Sequence, residues 1–398
     1  MDITIIPSLL NGTVNAIASK SQAHRLLICA SFSDKETELI CPETNNDIEA
    51  TAQCLNALGG EITRTESGYH VKPITIVPDQ AQLPCAESGS TLRFMLPIVG
   101  ALGVNATFIM EGRLPQRPMS PLWEEMERMG CHLSRPAENL ITCNGKLRCG
   151  TYKISGDTSS QFITGLLFAT ALMDSSSDIQ IEGKLESKPY VEMTQQALSL
   201  FGVSTEGYTV TGSRPFTSPE KVVVEGDWSN AAFFLTAASL GSNVLITNTN
   251  LDSPQGDKAV VQILKELKGH CIISATDIPD LIPILSVAAA FNKGAIFTDV
   301  QRLRLKESDR VAAVLEMLDN LGIQASADEN TLTVFPGALH GGIIDSKNDH
   351  RIAMSAAIAA TVADGPVTIK DAHCVSKSYP GFWSDYRMLG GNYEQYIR

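Results

Sequence analysis

The chain has 398 residues, of which 43% are apolar and 19% charged, and its formal net charge is −13. This length exceeds one ordinary hydrophobic core and the composition is globular, so we predict a protein of two domains. Because proteins that bind nucleic acids usually carry an excess of Lys and Arg, the acidic balance argues against a nucleic-acid partner.

Six segments that share one plan follow one another along the chain. Each begins with a polar cluster rich in Ser, Thr, Asp or Asn, the residues that cap helix N-termini. An apolar stretch of about a dozen residues comes next, which predicts a helix buried on most sides. In chain order, the polar clusters lie at 19–21, 87–90, 157–160, 227–230, 277–280 and 348–351.

A strand and a second helix complete each segment. Residues 106–110 and 295–298 are typical of strands. An amphipathic helix follows, with a glycine at its C-cap, and an alternating stretch such as 331–335 then indicates a hairpin. The unit is therefore helix, strand, helix, strand, strand, or a circular shift of that order.

The spacing of the polar clusters predicts two similar lobes of three units each. Successive clusters are about 70 residues apart, except for about 50 between the fourth and the fifth, so one unit has lost its hairpin. The fold class is α/β (α+β) with buried helices. If the six helix starts face a common cleft, their positive dipole ends and backbone N–H groups suit phosphate and carboxylate ligands.

The N-terminus and the cysteines bear on the cellular compartment of the protein. The first residues lack the basic and apolar regions of a signal peptide, and the longest apolar runs are far shorter than the roughly twenty residues of a membrane span. Nine cysteines without a Cys-x-x-Cys spacing are typical of reduced thiols in a cytoplasmic protein. They provide no zinc-ligand pattern, and we predict no metal site.

Cations cluster at or near the polar openings, although each has an ordinary explanation when taken alone. The run 306–310 is typical of an exposed helical ion-pair run, and Asp280 and Ser159 are typical of helix caps. Lys377 alone is typical of a surface lysine. The cations in question are Lys20, Arg25, Arg93, Arg117, Lys306, Arg310, Arg351 and Lys377.

Taken as an ordered set, the motifs resemble those of the EPSP synthase family. The order and rough spacing match over about nine-tenths of the chain. The motifs are Ser-Lys-Ser-x-x-x-Arg at 19–25, Gly-Ser-Thr-Leu-Arg at 89–93, Gln-Arg-Pro-Met at 116–119, Ser-Ser-Gln-Phe at 159–162, Ser-Lys-Pro-Tyr at 187–190, Lys-Glu-Ser-Asp-Arg at 306–310, Asn-Asp-His-Arg at 348–351 and Val-Ser-Lys-Ser-Tyr-Pro at 375–380.

The resemblance implies an inside-out α/β barrel fold in which each of two lobes holds three βαβαββ units. One lobe is expected at 19–225 with the shikimate 3-phosphate contacts, and the other at 1–18 plus 226–398 with phosphoenolpyruvate-binding residues and catalytic carboxylates. The implied reaction, a step of the shikimate pathway, moves the enolpyruvyl group of phosphoenolpyruvate to the 5-hydroxyl of shikimate 3-phosphate. The resemblance further implies a cytoplasmic monomer that needs no cofactor.

The resemblance also implies a role for individual residues. Asp280 accepts the proton of the attacking hydroxyl, Glu307 delivers a proton to the methylene carbon and removes it again, and Lys20 assists phosphate departure. Phosphoenolpyruvate is expected at Lys20, Gly89, Arg117, Gln161, Arg310, Arg351 and Lys377. Shikimate 3-phosphate is expected at Lys20, Ser21, Arg25, Ser159, Ser160, Gln161, Ser187, Asp280 and Lys306.

Some positions depart from the family pattern, and rival functions remain open. Glu87 stands where an Asn is common, and Arg302 where many members have an Asn that contacts shikimate. The related enzyme that acts on UDP-N-acetylglucosamine uses a loop cysteine, which 112–118 lacks. An RNA 3′-phosphate cyclase and a non-catalytic repeat scaffold are two further rivals. Since Gly89 is the glycine whose replacement crowds glyphosate in the family, we expect the protein to be glyphosate-sensitive.

Overall fold

The computed structural model describes residues 1–212, 215–269 and 271–396. The chain forms two compact units: an N-terminal unit, Ala18–Val224, and a C-terminal unit that joins Met1–Ile17 to Glu225–Arg398. Each unit has its own hydrophobic core. Within the described ranges, the structure contains no helix that combines the length and the apolar character needed to cross a bilayer.

Two strands precede the N-terminal unit and belong to the C-terminal one, namely β1 (Asp2–Ile6) and β2 (Asn11–Asn15). The elements of the N-terminal unit are α1 (Lys20–Ser31), β3 (Thr37–Ile40), α2 (Asn46–Ala57), β4 (Glu61–Arg64), β5 (Gly68–Lys72), β6 (Gln80–Ala86), α3 (Gly89–Leu102), β7 (Asn105–Met110), α4 (Leu122–Arg128), β8 (Cys131–Ala137), β9 (Leu140–Gly145), β10 (Thr151–Ser155), α5 (Ser160–Ala171), β11 (Ser177–Glu182), α6 (Lys188–Leu200), β12 (Thr205–Glu206), β13 (Thr209–Val210) and β14 (Lys221–Val223).

The C-terminal unit continues with α7 (Trp228–Ser239), β15 (Asn243–Thr247), α8 (Val260–Glu266), β16 (Ile272–Ser274), α9 (Ile282–Phe291), β17 (Ala295–Thr298), α10 (Arg310–Asn320), β18 (Ala325–Ala327), β19 (Thr331–Val334), β20 (Gly342–Asp345), α11 (His350–Ala360), β21 (Val367–Lys370), α12 (Phe382–Met388) and β22 (Asn392–Tyr396). Short 3-10 helices lie at Leu114–Gln116, Gly256–Ala259, Gln301–Leu305 and Ala372–Lys377.

The repeated unit is a four-stranded sheet with one helix after each of its first two strands. In the sheet β10-β11-β13-β12, β10 and β11 run parallel and β13 pairs antiparallel with both β11 and β12. The strand orders β6-β7-β9-β8, β14-β3-β5-β4, β16-β17-β19-β18 and β20-β21-β1-β22 repeat this plan. The predicted α/β class, built from βαβαββ units, is confirmed.

One sheet departs from the plan. Strands β15 and β2 form a two-stranded parallel sheet. This sheet belongs to the fourth unit, where the short spacing in the sequence predicted a missing hairpin. The strands of a unit also come from distant parts of the chain, since β14 starts the first sheet and β1 pairs with both β21 and β22.

Side-chain caps begin five of the six buried helices. The capping residues, each accepting a hydrogen bond from a backbone N–H of the first turn, are Ser19, Ser88, Ser159, Asp227 and Asp349. At the fifth helix the expectation of a cap is wrong, because α9 begins after Leu281 and has Pro283 in its first turn. Asp280 does not cap a helix, and its carboxylate forms ion pairs.

Candidate active site

Three cations surround Asp280 in the C-terminal unit. Arg310 Nη1 lies 2.6 Å and Lys306 Nζ 3.4 Å from Asp280 Oδ1, while Arg351 Nη2 lies 3.8 Å from Oδ2. Burial alone would raise the pKa of Asp280, but the charges of these three neighbours hold that pKa well below its usual range. Asp280 is therefore an ionised carboxylate at neutral pH.

Arg310 joins three carboxylates although it is only 1% exposed. Its Nε lies 2.9 Å from Asp349 Oδ2 and its Nη2 lies 2.5 Å from Glu307 Oε2, in addition to the bond with Asp280. Burial works against the positive charge, yet the three carboxylates raise the pKa of Arg310 well above its ordinary value. The ion pairs bring together the starts of α10 and α11, because Arg310 opens α10 and Asp349 caps α11.

Lys306 lies in extended backbone between the 3-10 helix Gln301–Leu305 and α10. Burial, reinforced by Arg310 and Arg302 and opposed by Asp280, lowers the pKa of Lys306 to about 8. The interpretation of 306–310 as an exposed helical ion-pair run is therefore wrong. Arg302, one of the two departures from the family pattern, adds positive charge beside Lys306.

Arg351, in the first turn of α11, has one N–H donor that no described residue accepts. Its Nη1 donates to the carbonyl oxygen of Ser229 at 2.9 Å, and its guanidinium lies over the ring of Phe233. Its Nε is buried and has no hydrogen-bond partner among the residues that the structure describes. An unsatisfied buried donor costs free energy, so this atom suits a ligand that brings an acceptor oxygen.

Lys377 ends the 3-10 helix Ala372–Lys377 beside the sixth opening. Its Nζ donates to the carbonyl oxygen of Asn348 at 2.9 Å. Asn348 has a positive φ of 55°, so the chain turns sharply just before α11. The C-terminal unit thus holds Lys306, Arg310, Arg351 and Lys377 around the starts of α9, α10 and α11.

In the N-terminal unit, Lys20 is fixed by a carboxylate from the next helix. Lys20 is the first residue of α1, and its Nζ lies 2.8 Å from Oδ2 of Asp47, in the first turn of α2. Both side chains are 16% exposed. A lysine held this way loses less conformational freedom when it meets a ligand.

Gly89 and Arg117 lie against each other at the start of α3. A Cβ atom added at Gly89 would lie 2.3 Å from Nη1 of Arg117. The buried Nε of Arg117 has no hydrogen-bond partner in the part of the chain that is described. Glu87, which stands where the family commonly has an Asn, packs against Gly112. A Cβ atom added at Gly112 would lie 2.4 Å from Glu87 Oε2.

Arg93 braces the residues around Gly89. Its Nη1 donates to Oε1 of Gln161 at 2.7 Å and its Nη2 to the carbonyl oxygen of Pro118 at 3.0 Å. Gln161 in turn donates to Ser90 Oγ at 2.9 Å. These bonds connect the first turns of α3 and α5 to the segment that carries Arg117, and so fix the orientation of the predicted ligand Gln161.

The guanidinium of Arg25 forms hydrogen bonds with several groups of the N-terminal unit. It is 3% exposed, its Nε donates to Thr194 Oγ1 at 2.9 Å, and its Nη1 donates to the carbonyl oxygen of Ser21 at 2.6 Å. Its Nη2 donates to the Tyr190 carbonyl oxygen at 2.9 Å and to Thr164 Oγ1 at 3.3 Å. Burial lowers the pKa of Arg25 to about 10. These bonds join α1 to α5 and α6.

The serines of the predicted set lie at helix starts. Ser21 is in the first turn of α1, Ser159 caps α5, and Ser160 opens α5 with 5% exposure. Ser187 precedes α6 with a positive φ of 54°. Within the N-terminal unit these positions cluster near Arg25 and Gln161, because α5 packs against both α3 and α6.

A family model described as EPSP synthase (3-phosphoshikimate 1-carboxyvinyltransferase) matches residues 5–277 and 272–386. The chain belongs to the EPSP synthase family. The prediction of this family, and of an enzyme that carries out its enolpyruvyl transfer, is confirmed.

Curated relatives and solved structures agree with this assignment. The 3-phosphoshikimate 1-carboxyvinyltransferase of Clostridium kluyveri is 36% identical, with 99% of this chain and 98% of the relative aligned. That of Clostridium perfringens is 38% identical, with 98% of each chain aligned. The fold matches the EPSP synthase of Acinetobacter baumannii with a TM-score of 0.81 at 21% identity, over 99% of both chains.

Two ion pairs of the candidate site could not be predicted from the sequence. Asp47 lies in a polar helix start that no motif singled out, and nothing local indicates that it pairs with Lys20. Asp349 belongs to the motif Asn-Asp-His-Arg at 348–351, but its bond to Arg310 depends on the packing of α10 beside α11. Each of the other predicted ligands lies in the unit named for it above. Their contacts with substrates stay predictions.

Proposed function

We propose that this protein transfers the enolpyruvyl group of phosphoenolpyruvate to the 5-hydroxyl of shikimate 3-phosphate and releases phosphate. The full-length relatives named 3-phosphoshikimate 1-carboxyvinyltransferase support the reaction. One observation carries the site assignment: Arg117 and Arg351 each bury an Nε that no described residue satisfies. Buried, unsatisfied guanidinium donors are suited to the oxygens of an anionic ligand.

Phosphoenolpyruvate has two anionic groups and needs several cations. Arg117 and Lys20, with Gly89 and Gln161, are its proposed ligands in the N-terminal unit. Arg310, Arg351 and Lys377 are those in the C-terminal unit. Guanidinium groups can bind a phosphate or a carboxylate through two parallel hydrogen bonds, which fixes orientation as well as affinity.

Shikimate 3-phosphate is assigned to the polar helix starts of the N-terminal unit together with Lys306 and Asp280. Hydroxyl groups and backbone N–H groups at the first turns of α1, α5 and α6 can donate to its phosphate. The proposed ligands in the N-terminal unit are Lys20, Ser21, Arg25, Ser159, Ser160, Gln161 and Ser187. Arg25 also donates to the Ser21 carbonyl oxygen through Nη1 and so holds that neighbouring proposed ligand in place.

The reaction proceeds by addition and elimination. Asp280 takes the proton of the 5-hydroxyl while the hydroxyl oxygen forms a bond to C2 of phosphoenolpyruvate. Glu307, which must enter this step in its protonated form, gives a proton to C3. The resulting tetrahedral intermediate then loses phosphate from C2 as Glu307 takes a proton back from C3. Lys20 stabilises the negative charge of the departing phosphate. The released phosphate carries the proton that Asp280 removed from the 5-hydroxyl, so both carboxyl groups return to their starting forms.

The ion pairs of the substrate-free protein bear on how Asp280 acts as a base. Its low pKa results from Lys306, Arg310 and Arg351, and a carboxylate with so low a pKa is a weak base. Substrate anions that bind these three cations would compete with Asp280 for them. The pKa of Asp280 would then rise toward the range in which it accepts a proton.

A cytoplasmic location and a monomeric state are part of this proposal. All nine cysteines lie among the described residues and are thiols, which supports a reducing compartment such as the cytoplasm. The monomeric state that the family resemblance implies is checked by light scattering at assay concentration.

A phosphate-release assay tests the proposed function. With both substrates present, phosphate and the enolpyruvyl ether of shikimate 3-phosphate should form in equal amounts, and either substrate alone should give neither. UDP-N-acetylglucosamine in place of shikimate 3-phosphate should give no product. Turnover of that sugar nucleotide, or no turnover of either acceptor, would refute the proposal.

A further inference from the structure

A buried carboxylate outside the predicted residue set lies beside the C-terminal cations. Asp257, in the 3-10 helix Gly256–Ala259, is 0% exposed. Its Oδ2 accepts a hydrogen bond from the hydroxyl of Ser229, the second residue of α7. A fully buried carboxylate is costly to maintain in either protonation state, so its position needs a physical explanation.

Ser229 connects Asp257 to Arg351. The hydroxyl of Ser229 bonds Asp257, while its carbonyl oxygen accepts the 2.9 Å hydrogen bond from Arg351 Nη1. Arg351 also reaches Asp280 at 3.8 Å through Nη2. One serine thus ties the buried carboxylate to the guanidinium that has an unused Nε.

We propose that Asp257 is a positioning residue for Arg351, and that its protonation state sets how tightly the enzyme binds the anionic groups of phosphoenolpyruvate. This inference rests on the proposed function, because it assumes that Arg351 meets this substrate. Asp257 reaches Arg351 through two hydrogen bonds, one from the Ser229 hydroxyl and one to the Ser229 carbonyl oxygen.

Burial, together with the charges around Asp257, brings the pKa of this carboxyl close to neutrality. Burial and the negative charge of Asp280 raise the pKa of Asp257 to about 7, with a smaller contribution from Asp227, the cap of α7. The Ser229 hydrogen bond and the charge of Arg351 oppose this rise. Below pH 7 Asp257 is neutral and leaves the positive charge of Arg351 for the substrate. Above pH 7 the ionised carboxylate attracts that charge and weakens anion binding.

The test compares the pH dependence of substrate binding in Asp257→Asn and in the wild type. Asparagine is almost the same size, still accepts from Ser229 and is neutral at every pH. We expect equal KM values for phosphoenolpyruvate near pH 6 and a KM about threefold lower for Asp257→Asn at pH 8. The kcat and the KM for shikimate 3-phosphate should change by less than about twofold. The matched control is Asp252→Asn, which removes an exposed carboxylate five positions earlier and should follow the wild type at every pH.

Parallel pH profiles of the phosphoenolpyruvate KM for the wild type and Asp257→Asn would overturn the inference. So would an equal change in the KM values for both substrates, which a general structural defect produces. If the wild type formed no product from the two substrates, the proposed function would fail instead. Calorimetric binding of phosphoenolpyruvate from pH 6 to pH 8, which needs no turnover, would then still decide the role of Asp257.

Discussion

Gly89 leaves room for the guanidinium group of Arg117, because a Cβ atom at position 89 would lie 2.3 Å from Nη1 and 2.8 Å from Cζ of that arginine. A separation below about 3 Å between a carbon and a neighbouring heavy atom requires one of them to move. The atoms in the way belong to the far end of a flexible side chain, so the arginine would move and the backbone would stay.

Gly89→Ala should therefore impair substrate binding and leave the fold intact. We expect the KM for phosphoenolpyruvate to rise about tenfold or more, because the displaced guanidinium no longer meets its anion. The thermal midpoint should change by only a few degrees. Inhibition by glyphosate, expected for the wild type, should weaken in the variant.

The control for this change is Gly269→Ala. Among the residues that the structure describes, a Cβ at position 269 would have only the Glu266 carbonyl oxygen within 4 Å, at 3.8 Å, so the methyl group fits. Kinetics of this variant should match the wild type. A Gly89→Ala enzyme with an unchanged KM for phosphoenolpyruvate would show that Arg117 does not bind that substrate.

Asp47→Ala should slow turnover, because Lys20 loses the carboxylate that fixes its ammonium group. We expect kcat to fall about tenfold, since misplacing a group that stabilises the leaving phosphate acts on the transition state. Glu61→Gln is the control, because it breaks an exposed ion pair with Lys72 in the same unit. An unchanged kcat in Asp47→Ala would show that Asp47 does not position Lys20 for the reaction.

The binding of shikimate 3-phosphate should weaken at alkaline pH. Burial lowers the pKa of Lys306 to about 8, so its positive charge is present below pH 8 and is lost as the pH rises through that value. The kcat/KM for shikimate 3-phosphate, which reports ionisations of the free enzyme, should fall above pH 8. Lys306→Arg keeps its charge and should flatten the profile between pH 8 and 9.5, whereas Lys293→Arg, at an exposed site, should not.

Arg310→Ala should destabilise the C-terminal unit strongly. Removing the guanidinium leaves Asp280, Glu307 and Asp349 without their shared cation, and breaking a buried ion pair from one side costs about 3–5 kcal/mol. Urea denaturation at pH 7 measures the loss. Arg304→Ala removes a more exposed arginine 3.6 Å from Asp309 and should cost less than about 1 kcal/mol. A similar, small loss in both variants would contradict this view of Arg310.

Much of the fold was predictable because its signals are local. Ser19 and Ser88 cap helices whose apolar stretches follow directly, and Gly59, Gly130, Gly202 and Gly322 adopt the positive φ angles that end the amphipathic helices. Each signal lies within a few residues of the element it controls. The repetition of the plan then indicated the number of units.

The rest depended on which helices pack together, and this is not encoded locally. The fifth opening resembled the other five, but Pro283 sits in the first turn of α9 and Asp280 became an ion-pair partner. The same holds for the bond between Lys20 and Asp47, two residues that lie 27 positions apart on different helices. The internal hydrogen bonds of Arg25 likewise depend on the packing of α1 on α5 and α6, which no local signal in the sequence indicates.

Proton NMR of the product formed in D2O tests most directly the claim that these cations and carboxylates carry out addition and elimination. With shikimate 3-phosphate and phosphoenolpyruvate, we expect vinyl signals of an enolpyruvyl ether at the 5-oxygen, partly lost to deuterium, because Glu307 protonates C3 and then removes a proton. Phosphate release without an enolpyruvyl ether, or an ether whose methylene group carries no deuterium, would contradict it.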